Sequence, residues 1–214
     1  MPIAAQTSEP NTRTRLLVAA MAVIRARGYS ASSVDQICAE AGVTKGAFFH
    51  HFASKEALAV AVANFWSENA DAFFGSAPYH AHPDPLDRVI GYIDYRDSLL
   101  NGPLERFTCL VGTMVQEAFA ASPAIRDACE ASISGHARML EADIAEAMER
   151  YGVTGVTPAS LALHTQAVLQ GGFILAKARG GPDAAVDSVA HLKRYFTLLF
   201  GRGATQDDQE TRKD

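Results

Sequence analysis

The sequence predicts an all-α protein, and three observations indicate this fold class. Apolar residues recur in steps of three and four along most of the chain, which is the spacing of one helix face. Ser, Thr or Pro begins several of these segments and Gly follows others, as helix caps require. No segment shows the apolar–polar alternation of a half-buried strand, and no internal repeat competes with the helices.

The first helix is expected over residues 12–27, and Gly28 ends it in the manner of a C-terminal cap. Two short helices follow. Ser32 or Ser33 can cap the first, which runs to Gly42, and Thr44 can cap the second. Two short helices around a turn of about three residues, after a helix that buries their apolar faces, are typical of a helix-turn-helix; a generic helical hairpin has the same periodicity.

The rest of the chain also has helical periodicity. Ser54 opens a fourth helix, and in a later segment Ser122 is the expected cap with Pro123 at the first helical position. The later helices are expected over residues 86–100, 104–120, 122–151, 158–179 and 183–200. Residues 1–10 and 203–214 are polar and predict mobile tails. We therefore expect a helix-turn-helix domain over 11–58 and a helical body over 59–202.

Composition limits the class of protein. A chain of 214 residues can bury a substantial core, and no apolar stretch reaches the roughly 18 residues of a membrane span. The first residues lack a leader pattern, so a cytoplasmic location is expected. Cys38, Cys109 and Cys129 are odd in number and have no paired spacing, which indicates neither a disulfide framework nor a zinc site. No cofactor or metal is expected.

Charge is unevenly distributed along the chain. The net charge is −5, yet residues 11–60 carry six basic and three acidic side chains, a local charge of +3. The remainder sums to −8. A basic module on an acidic body is typical of a small DNA reader with a regulatory domain.

One stretch carries a family motif. Gly28-Tyr29 is followed by Ser33-Val34-Asp35-Gln36-Ile37-Cys38-Ala39-Glu40-Ala41-Gly42-Val43-Thr44-Lys45-Gly46-Ala47-Phe48-Phe49-His50-His51-Phe52 and then by Ser54-Lys55-Glu56-Ala57-Leu58. This stretch closely resembles the tetracycline-repressor (TetR) family over about residues 12–62. The resemblance implies an all-helical DNA-binding regulator, and beyond residue 62 it is only a general helical layout.

Several residues of the motif have a physical interpretation as DNA contacts. The Ser33 hydroxyl can cap its helix or donate to a phosphate. Thr44 and Lys45 begin the third helix, where Lys45 can reach a guanine edge or a phosphate, and the resemblance implies that both positions touch DNA. Gly46 and Ala47 keep this helix slim, and the Ala47 methyl can meet a thymine methyl, although helix propensity alone also explains it.

The end of the third helix combines core and contact residues. We interpret Phe48 and Phe52 as core. Phe49 departs from the resembling family, which usually has a tyrosine here that binds a phosphate. His50 and His51 each offer a donor, and His51 matches a phosphate contact of that family. Lys55 matches another such contact, with a solvated surface lysine as the alternative. The predicted DNA-binding residues are Ser33, Thr44, Lys45, Gly46, Ala47, Phe49, His50, His51 and Lys55.

The last two helices combine small residues with Leu and Phe. In the resembling family the final helices form a four-helix dimer interface, which implies a homodimer and a palindromic operator. A helical hairpin inside a monomer is the alternative. The predicted interface residues are Ala167, Gly171, Gly172, Leu192, Phe196 and Leu199.

Polar residues on apolar stripes of the body are candidates for a small-molecule inducer site, since few polar groups line such cavities. A structural role is the alternative for each. The polar candidates and their apolar neighbours are Arg96, Phe107, Cys109, Met114, Gln116, His136, His164 and Phe173. A thiol of lowered pKa at Cys109 or Cys129 would allow electrophile sensing, with a plain core role as the alternative.

Two other classes of protein compete with a repressor. A helical hydrolase would use Asp94 and Asp97, or the His80-x-His82 loop, but no nucleophile elbow, phosphate loop or HExxH motif is present. A helical adaptor that binds proteins predicts no sequence-selective DNA binding. The interpretation the sequence favours is a ligand-responsive dimeric repressor that is released from double-stranded DNA by a small-molecule inducer.

Overall fold

A computed structural model of the chain describes residues 11–202. Within this range the regular elements are helices, and no strand is present, which confirms the all-α fold. The tails predicted for residues 1–10 and 203–214 lie outside the described residues. The helices are α1 (Thr12–Arg27), α2 (Val34–Ala41), α3 (Lys45–His51), α4 (Lys55–Gly75), α5 (Pro85–Ser98), α6 (Leu104–Phe107), α7 (Leu110–Ala118), α8 (Pro123–Arg138), α9 (Glu141–Tyr151), α10 (Pro158–Arg179) and α11 (Asp183–Leu199), with a 3₁₀ helix at Pro78–Ala81.

The helix caps predicted near the N-terminus are confirmed. Ser33 accepts a hydrogen bond from the Gln36 backbone N–H, and the Gln36 side chain accepts from Ser33 N–H, which forms a reciprocal capping box. Thr44 caps α3 by accepting from Ala47 N–H at 3.2 Å. Ser54 caps α4 in the same way through Ala57 N–H at 3.0 Å. These caps fix where each helix of the helix-turn-helix begins.

The described chain divides into two compact units. Unit 1 comprises residues 11–76 and 102–136, and unit 2 comprises 77–101 and 137–202. In unit 1, α1 packs on α2, α3, α4, α6 and α7. Its core is formed by fully buried side chains such as Leu16, Ile24, Ile37 and Met114. Because α4 runs from Lys55 to Gly75, it continues through the functional boundary expected at residues 58 and 59.

A helix expected over residues 104–120 is interrupted in unit 1. Thr108 and Cys109 have extended backbones, with ψ values of 154° and 127°, and the chain restarts as α7 with Cys109 as its N-cap. The Cys109 sulfur accepts from Gly112 N–H at 3.4 Å. The Thr108 carbonyl, freed from helical bonding, accepts from Arg25 Nη2 at 3.2 Å. A side chain from α1 therefore takes the place of a helical hydrogen bond.

The helix expected over residues 122–151 is also divided in two. Ser122 caps α8 by accepting from Ile125 N–H at 3.2 Å, and Pro123 holds its first position as predicted. The chain turns at Met139 and Leu140, where Leu140 N–H donates to Ala137 at 3.0 Å before α9 begins. The apolar periodicity does not show this turn because the stripe continues across it, with Cys129 buried before it and Ile144 buried after it.

In unit 2, α5 packs on α9 and α11, and α10 packs on α9 and α11. Gly172 permits a close approach of α10 to α11, since a Cβ there would lie 3.2 Å from the Ala185 Cα. Arg88 on α5 pairs with Asp143 on α9 at 2.6 Å and also with Glu146. Among the described residues, no helix is both long and apolar enough to cross a membrane.

Candidate nucleic-acid interface

The N-terminal end of α3 presents a continuous solvent-facing surface. Thr44, Lys45 and Gly46 are exposed, and Ala47 is half-buried beside them. Ser33, the cap of α2, is exposed as well. A slim helix end with polar donors on its surface is the form that enters a DNA major groove. The structure thus brings the predicted contact residues of α2 and α3 onto the outside of unit 1.

The three phenylalanines of this region differ in burial. Phe48 is fully buried and Phe52 nearly so, with ring centroids 5.9 Å apart. Phe49 is 57% exposed and meets the edge of Phe48 with ring centroids 5.1 Å apart. The structure therefore places Phe48 and Phe52 in the core, as the sequence predicts. Phe49 offers an apolar ring, without a hydroxyl, on the surface where the family has its tyrosine.

Lys45 is held by an ion pair that the sequence interpretation missed. Its Nζ lies 2.7 Å from the Asp35 carboxylate on α2, and both side chains are more than half exposed. Such an exposed pair stabilises the fold little, about 0–1 kcal/mol. Its effect is to orient the lysine along the surface shared by α2 and α3. The spacing of ten residues across a turn gave no periodic signal for the pair.

Lys55 lies against the turn between α1 and α2. Its ammonium is 4.3 Å from the centre of the Tyr29 ring and donates to the Ser30 carbonyl at 3.4 Å. Burial lowers the pKa of Lys55, and the nearby Glu117 carboxylate opposes that shift. The lysine is thus partly desolvated and positioned before any phosphate approaches it.

The two histidines at the end of α3 project differently. His50 is exposed and His51 is half-buried, and their rings lie 5.0 Å apart at an interplanar angle of 74°. Both stand in the last turn of α3. His50 therefore has open access to a DNA surface, and His51 has partial access.

Five of the predicted inducer-site residues lie in unit 1. Phe107 and Met114 are buried, Cys109 is half-buried, and the His136 ring contacts Phe74 edge-on with centroids 4.7 Å apart. Gln116 differs, because it is exposed and its amide donates to the Gly112 carbonyl of its own helix at 2.7 Å. An enclosed role for Gln116 is therefore not supported.

Arg25 is a polar residue near this cluster that the sequence interpretation missed. Its guanidinium lies 5.0 Å from the Trp66 ring, and its Nε has no hydrogen-bond partner among the described residues. Burial lowers the pKa of Arg25, while Cys109 and Glu105 act in the opposite direction. Arg25 is a polar residue among the apolar residues of α1. Arg96 was chosen as a candidate by the same pattern, so the sequence could also have indicated Arg25.

The other three predicted inducer-site residues lie in unit 2. Arg96 lies over two aromatic rings, 5.9 Å from Tyr92 and 5.8 Å from Phe173. Tyr92 is fully buried, and its hydroxyl accepts from Gln166 Nε2 at 3.3 Å. His164 is exposed instead, with its ring 5.2 Å from Tyr195. The structure thus groups Arg96 with Phe173 and separates His164 from them.

A surface groove of about 270 Å³ lies between α1 and α4 in unit 1. None of the predicted inducer-site residues lines it. The groove is lined by Arg13, Leu17, Ala57, Val60, Ala61, Asn64, Phe65 and Glu68.

The predicted dimer residues separate into buried and accessible sets. Gly172, Leu192 and Phe196 are buried within unit 2, so in the single chain they offer almost no surface to a partner. Ala167 is exposed, and Gly171 and Leu199 are half-buried. Helices α10 and α11 also expose large apolar side chains that the sequence interpretation missed. We call this set the apolar face: Leu163, Ile174, Leu175, Tyr195 and Leu198.

Comparison with known proteins identifies the class. Residues 16–62 match the model of the family described as bacterial regulatory proteins, tetR family. Residues 85–186 match the model described as the transcriptional regulator LmrA/YxaF-like C-terminal domain. The first match covers the helix-turn-helix described above, and the second covers much of α5 to α11.

Curated relatives are similar mainly at the DNA-binding end. The chain is 40% identical over 57 residues to the HTH-type transcriptional regulator UidR of Escherichia coli, which is 27% of this chain and 29% of UidR. It is 32% identical over 114 residues to the HTH-type transcriptional repressor DhaR of a Mycobacterium species, which is 53% of this chain and 56% of DhaR. The matches therefore span less than two thirds of either relative.

Solved structures share the fold over most of the chain. A TetR transcriptional regulator from Chloroflexus aurantiacus aligns with a TM-score of 0.75 at 25% identity, covering 87% of this chain and 94% of that one. The reduced form of Escherichia coli NemR aligns with a TM-score of 0.75 at 22% identity, covering 86% and 95%. The chain belongs to the TetR family: it is a DNA-binding transcriptional regulator. Because members of this family are regulators, the hydrolase interpretation is wrong.

Proposed function

We propose that the protein is a ligand-responsive, homodimeric repressor that binds a palindromic operator through α2 and α3. The observation that carries this proposal is the solvent-facing end of α3, where Thr44, Lys45 and Gly46 stand beside the exposed cap Ser33. In this arrangement, Lys45, Ala47 and His50 read base edges. Ser33, Thr44, His51 and Lys55 contact phosphates and fix the register.

Selection of bound sequences from random duplex DNA with the purified full chain tests this function. We expect a palindrome whose half-sites are about one helical turn, roughly 34 Å, or somewhat more apart. Recovery of no palindrome would contradict the operator proposal and favour a protein-binding adaptor.

The role of Lys45 has a test of its own. Lys45→Ala should change the selected half-site at one or two positions, because a lysine that contacts a guanine edge carries sequence information. Arg126→Ala is the matched control, since Arg126 is an exposed basic residue on α8 that pairs with its neighbour Asp127 at 2.7 Å. An identical selected sequence for Lys45→Ala and the control would assign Lys45 to phosphate contact alone.

The homodimer proposal is supported by the apolar face. Five large apolar side chains of α10 and α11 are each at least 39% exposed in the single chain. Gly171 lies within this surface, and a Cβ there would meet nothing within 4 Å. Clusters of exposed apolar residues mark interaction sites, and a two-fold dimer matches a palindromic operator. A stable monomer at micromolar concentration in sedimentation velocity would contradict the dimer.

Two observations support repression and release by a small molecule. The relative DhaR is named a repressor. In unit 2 the half-buried Arg96 lies over the buried rings of Tyr92 and Phe173, and such a polar group among aromatic rings suits a moderately hydrophobic ligand. In this mechanism the inducer favours a dimer geometry that the operator does not fit.

A thermal-shift screen of small molecules, followed by operator-release assays on every stabilising compound, tests release. At least one compound should both raise Tm and release DNA. Compounds that stabilise the protein and leave the operator bound would contradict induction by release.

A further inference from the structure

The turn that joins α1 to α2 is held by a side chain from a distant part of the sequence. The Ser30 backbone N–H donates to Glu117 Oε2 at 2.6 Å, and 87 residues separate the two. Gly28, with φ +85°, lies so close to the same carboxylate that any side chain at position 28 would collide with it. Glu117 is therefore seated in the turn and not merely near it.

The same carboxylate also acts on Lys55. The Lys55 ammonium donates to the Ser30 carbonyl at 3.4 Å, so one residue of the turn binds Glu117 through its N–H and Lys55 through its carbonyl. The negative charge of Glu117 lies close enough to counter the desolvation of that ammonium. Glu117, Ser30 and Lys55 thus form one connected unit.

This unit contains one of the proposed phosphate contacts, Lys55, and lies next to another, Ser33. Ser33, the cap of α2, follows the turn by three residues, and Lys55 opens α4. The turn is tied further by Ser32, whose buried hydroxyl donates to the Gly28 carbonyl at 2.6 Å. A second link joins α4 to the segment after α7, where the Ser122 hydroxyl donates to the Glu56 carboxylate.

The position of Glu117 in its own helix gives it no local reason to be acidic. It stands in the last turn of α7, where the helix dipole disfavours negative charge. Its carboxylate is also close to the surface that meets DNA phosphates, where a negative charge opposes binding. The hydrogen bond from Ser30 N–H and the nearby Lys55 ammonium are the interactions that compensate for both effects among the described residues.

We propose that Glu117 is a positioning residue for DNA binding: it holds the Gly28–Ser30 turn, and through it Ser33 and Lys55, in the geometry that fits two phosphates. The proposal rests on the assignment of Ser33 and Lys55 as phosphate contacts.

A nearby negative charge and a positioning residue predict opposite changes in operator affinity when Glu117 is removed, so one variant distinguishes the two roles. If Glu117 were only a nearby negative charge, Glu117→Ala would tighten operator binding. As a positioning residue, its loss should weaken binding by about tenfold, since a hydrogen bond to a charged group is lost in each half-site. Glu117→Gln keeps an oxygen that accepts from Ser30 N–H, so it should recover most of the affinity.

The experiment measures operator affinity by fluorescence anisotropy as a function of salt, with Glu149→Ala as the matched control. Glu149 is an exposed acid in the last turn of α9 in unit 2. Loss of Lys55 from both half-sites should reduce the salt slope of Glu117→Ala by about 1.8, which a general loss of stability would not do. Faster hydrogen exchange at the Ser30 amide should accompany it.

The outcomes are distinguishable. Binding by Glu117→Ala that equals or exceeds the wild type would overturn the positioning role and leave the operator proposal intact. An unchanged salt slope with weakened binding would also overturn it. A wild-type protein that selects no operator would instead overturn the operator proposal, and the role of Glu117 with it.

Discussion

Helices α3 and α10 both expose one side to solvent, but the exposed side chains have opposite character. Helix α3 has seven residues and buries Phe48, while its outer side carries Lys45, Gly46 and His50. Helix α10 has 22 residues, buries one face in unit 2 and exposes Leu163, Ile174 and Leu175 on another. Polar donors on a slim helix suit the edges of bases, whereas apolar residues on two faces of a helix indicate two packing partners.

The largest expected effect separates the buried and exposed sides of α3. Phe48→Ala should lower the free energy of unfolding by about 3–5 kcal/mol, because it empties a core position. Phe49→Ala should change it by less than about 0.5 kcal/mol, since its ring is mostly exposed. Urea unfolding measures both. Equal losses would show that Phe49 belongs to the core and would remove the contrast between the two sides.

The next effect tests the apolar face of α10 and α11. Ile174→Asp combined with Leu198→Asp should raise the dimer dissociation constant by about 100-fold or more, because each dimer would bury unpaired charges. Sedimentation velocity across a dilution series measures it. The control is Phe119→Asp, which changes an exposed apolar residue of unit 1 that lies off this face. If Phe119→Asp alone dissociated the dimer, the interface would lie outside the apolar face.

The salt dependence of operator affinity tests the proposed phosphate contacts of the helix-turn-helix. If about four phosphates are neutralised per dimer, log K should fall with log salt at a slope near −3.6. Lys55→Ala should reduce that slope by about 1.8 and weaken binding to all sequences alike. Anisotropy titrations between low and moderate salt give the slope. A salt-independent affinity would contradict phosphate contact as the source of binding.

The smallest expected effect on operator affinity concerns Phe49, where the chain departs from the family motif. Phe49→Tyr should tighten operator binding by about 1 kcal/mol per half-site, because the added hydroxyl restores a hydrogen bond to phosphate. The operator affinity at fixed salt measures this gain. No gain would indicate that the ring at position 49 packs on sugar and does not face a phosphate.

Local signals in the sequence predicted much of the fold. The bounds of α1 and α10 follow from Gly28 and from Pro158 and Arg179, and they are confirmed at both ends. The helix-turn-helix was predictable because each of its helices carries its own cap. Helix caps and apolar helix faces join residues no more than four positions apart, so the sequence shows them directly.

The missed features depend on contacts between distant residues. The break at Thr108 and Cys109 is stabilised by Arg25, which lies 83 positions earlier. Gln116 and His164 lie at the helical spacing expected of cavity residues, yet both are exposed. Helical spacing shows which residues share a face of a helix, but it does not show whether another helix covers that face. Leu192 and Phe196 were assigned to an interface for the same reason. Their burial depends on how α11 packs against α5 and α10.

The three thiols differ in a way that composition alone did not indicate. Cys129 is fully buried, and burial raises the pKa of Cys129 to about 12. Burial likewise raises the pKa of Cys38. Cys109 is half-buried at the start of α7. A thiol-directed reagent therefore has the best access to Cys109, and the electrophile-sensing hypothesis applies to that residue more than to Cys129.

On the proposed role of Lys45 in reading a base edge, the Asp35–Lys45 ion pair also affects how the protein searches for its site. On a random duplex, Lys45 must leave one carboxylate to gain one phosphate, so each chance encounter yields little net attraction. At the operator a guanine edge offers two acceptors to the same ammonium. Because a genome presents about 10⁶–10⁹ competing sites, weakening the incidental encounters shortens the residence at each of them. On that role, the acidic neighbour lowers the affinity of Lys45 for random duplex and for the operator alike, and the guanine edge supplies the discrimination.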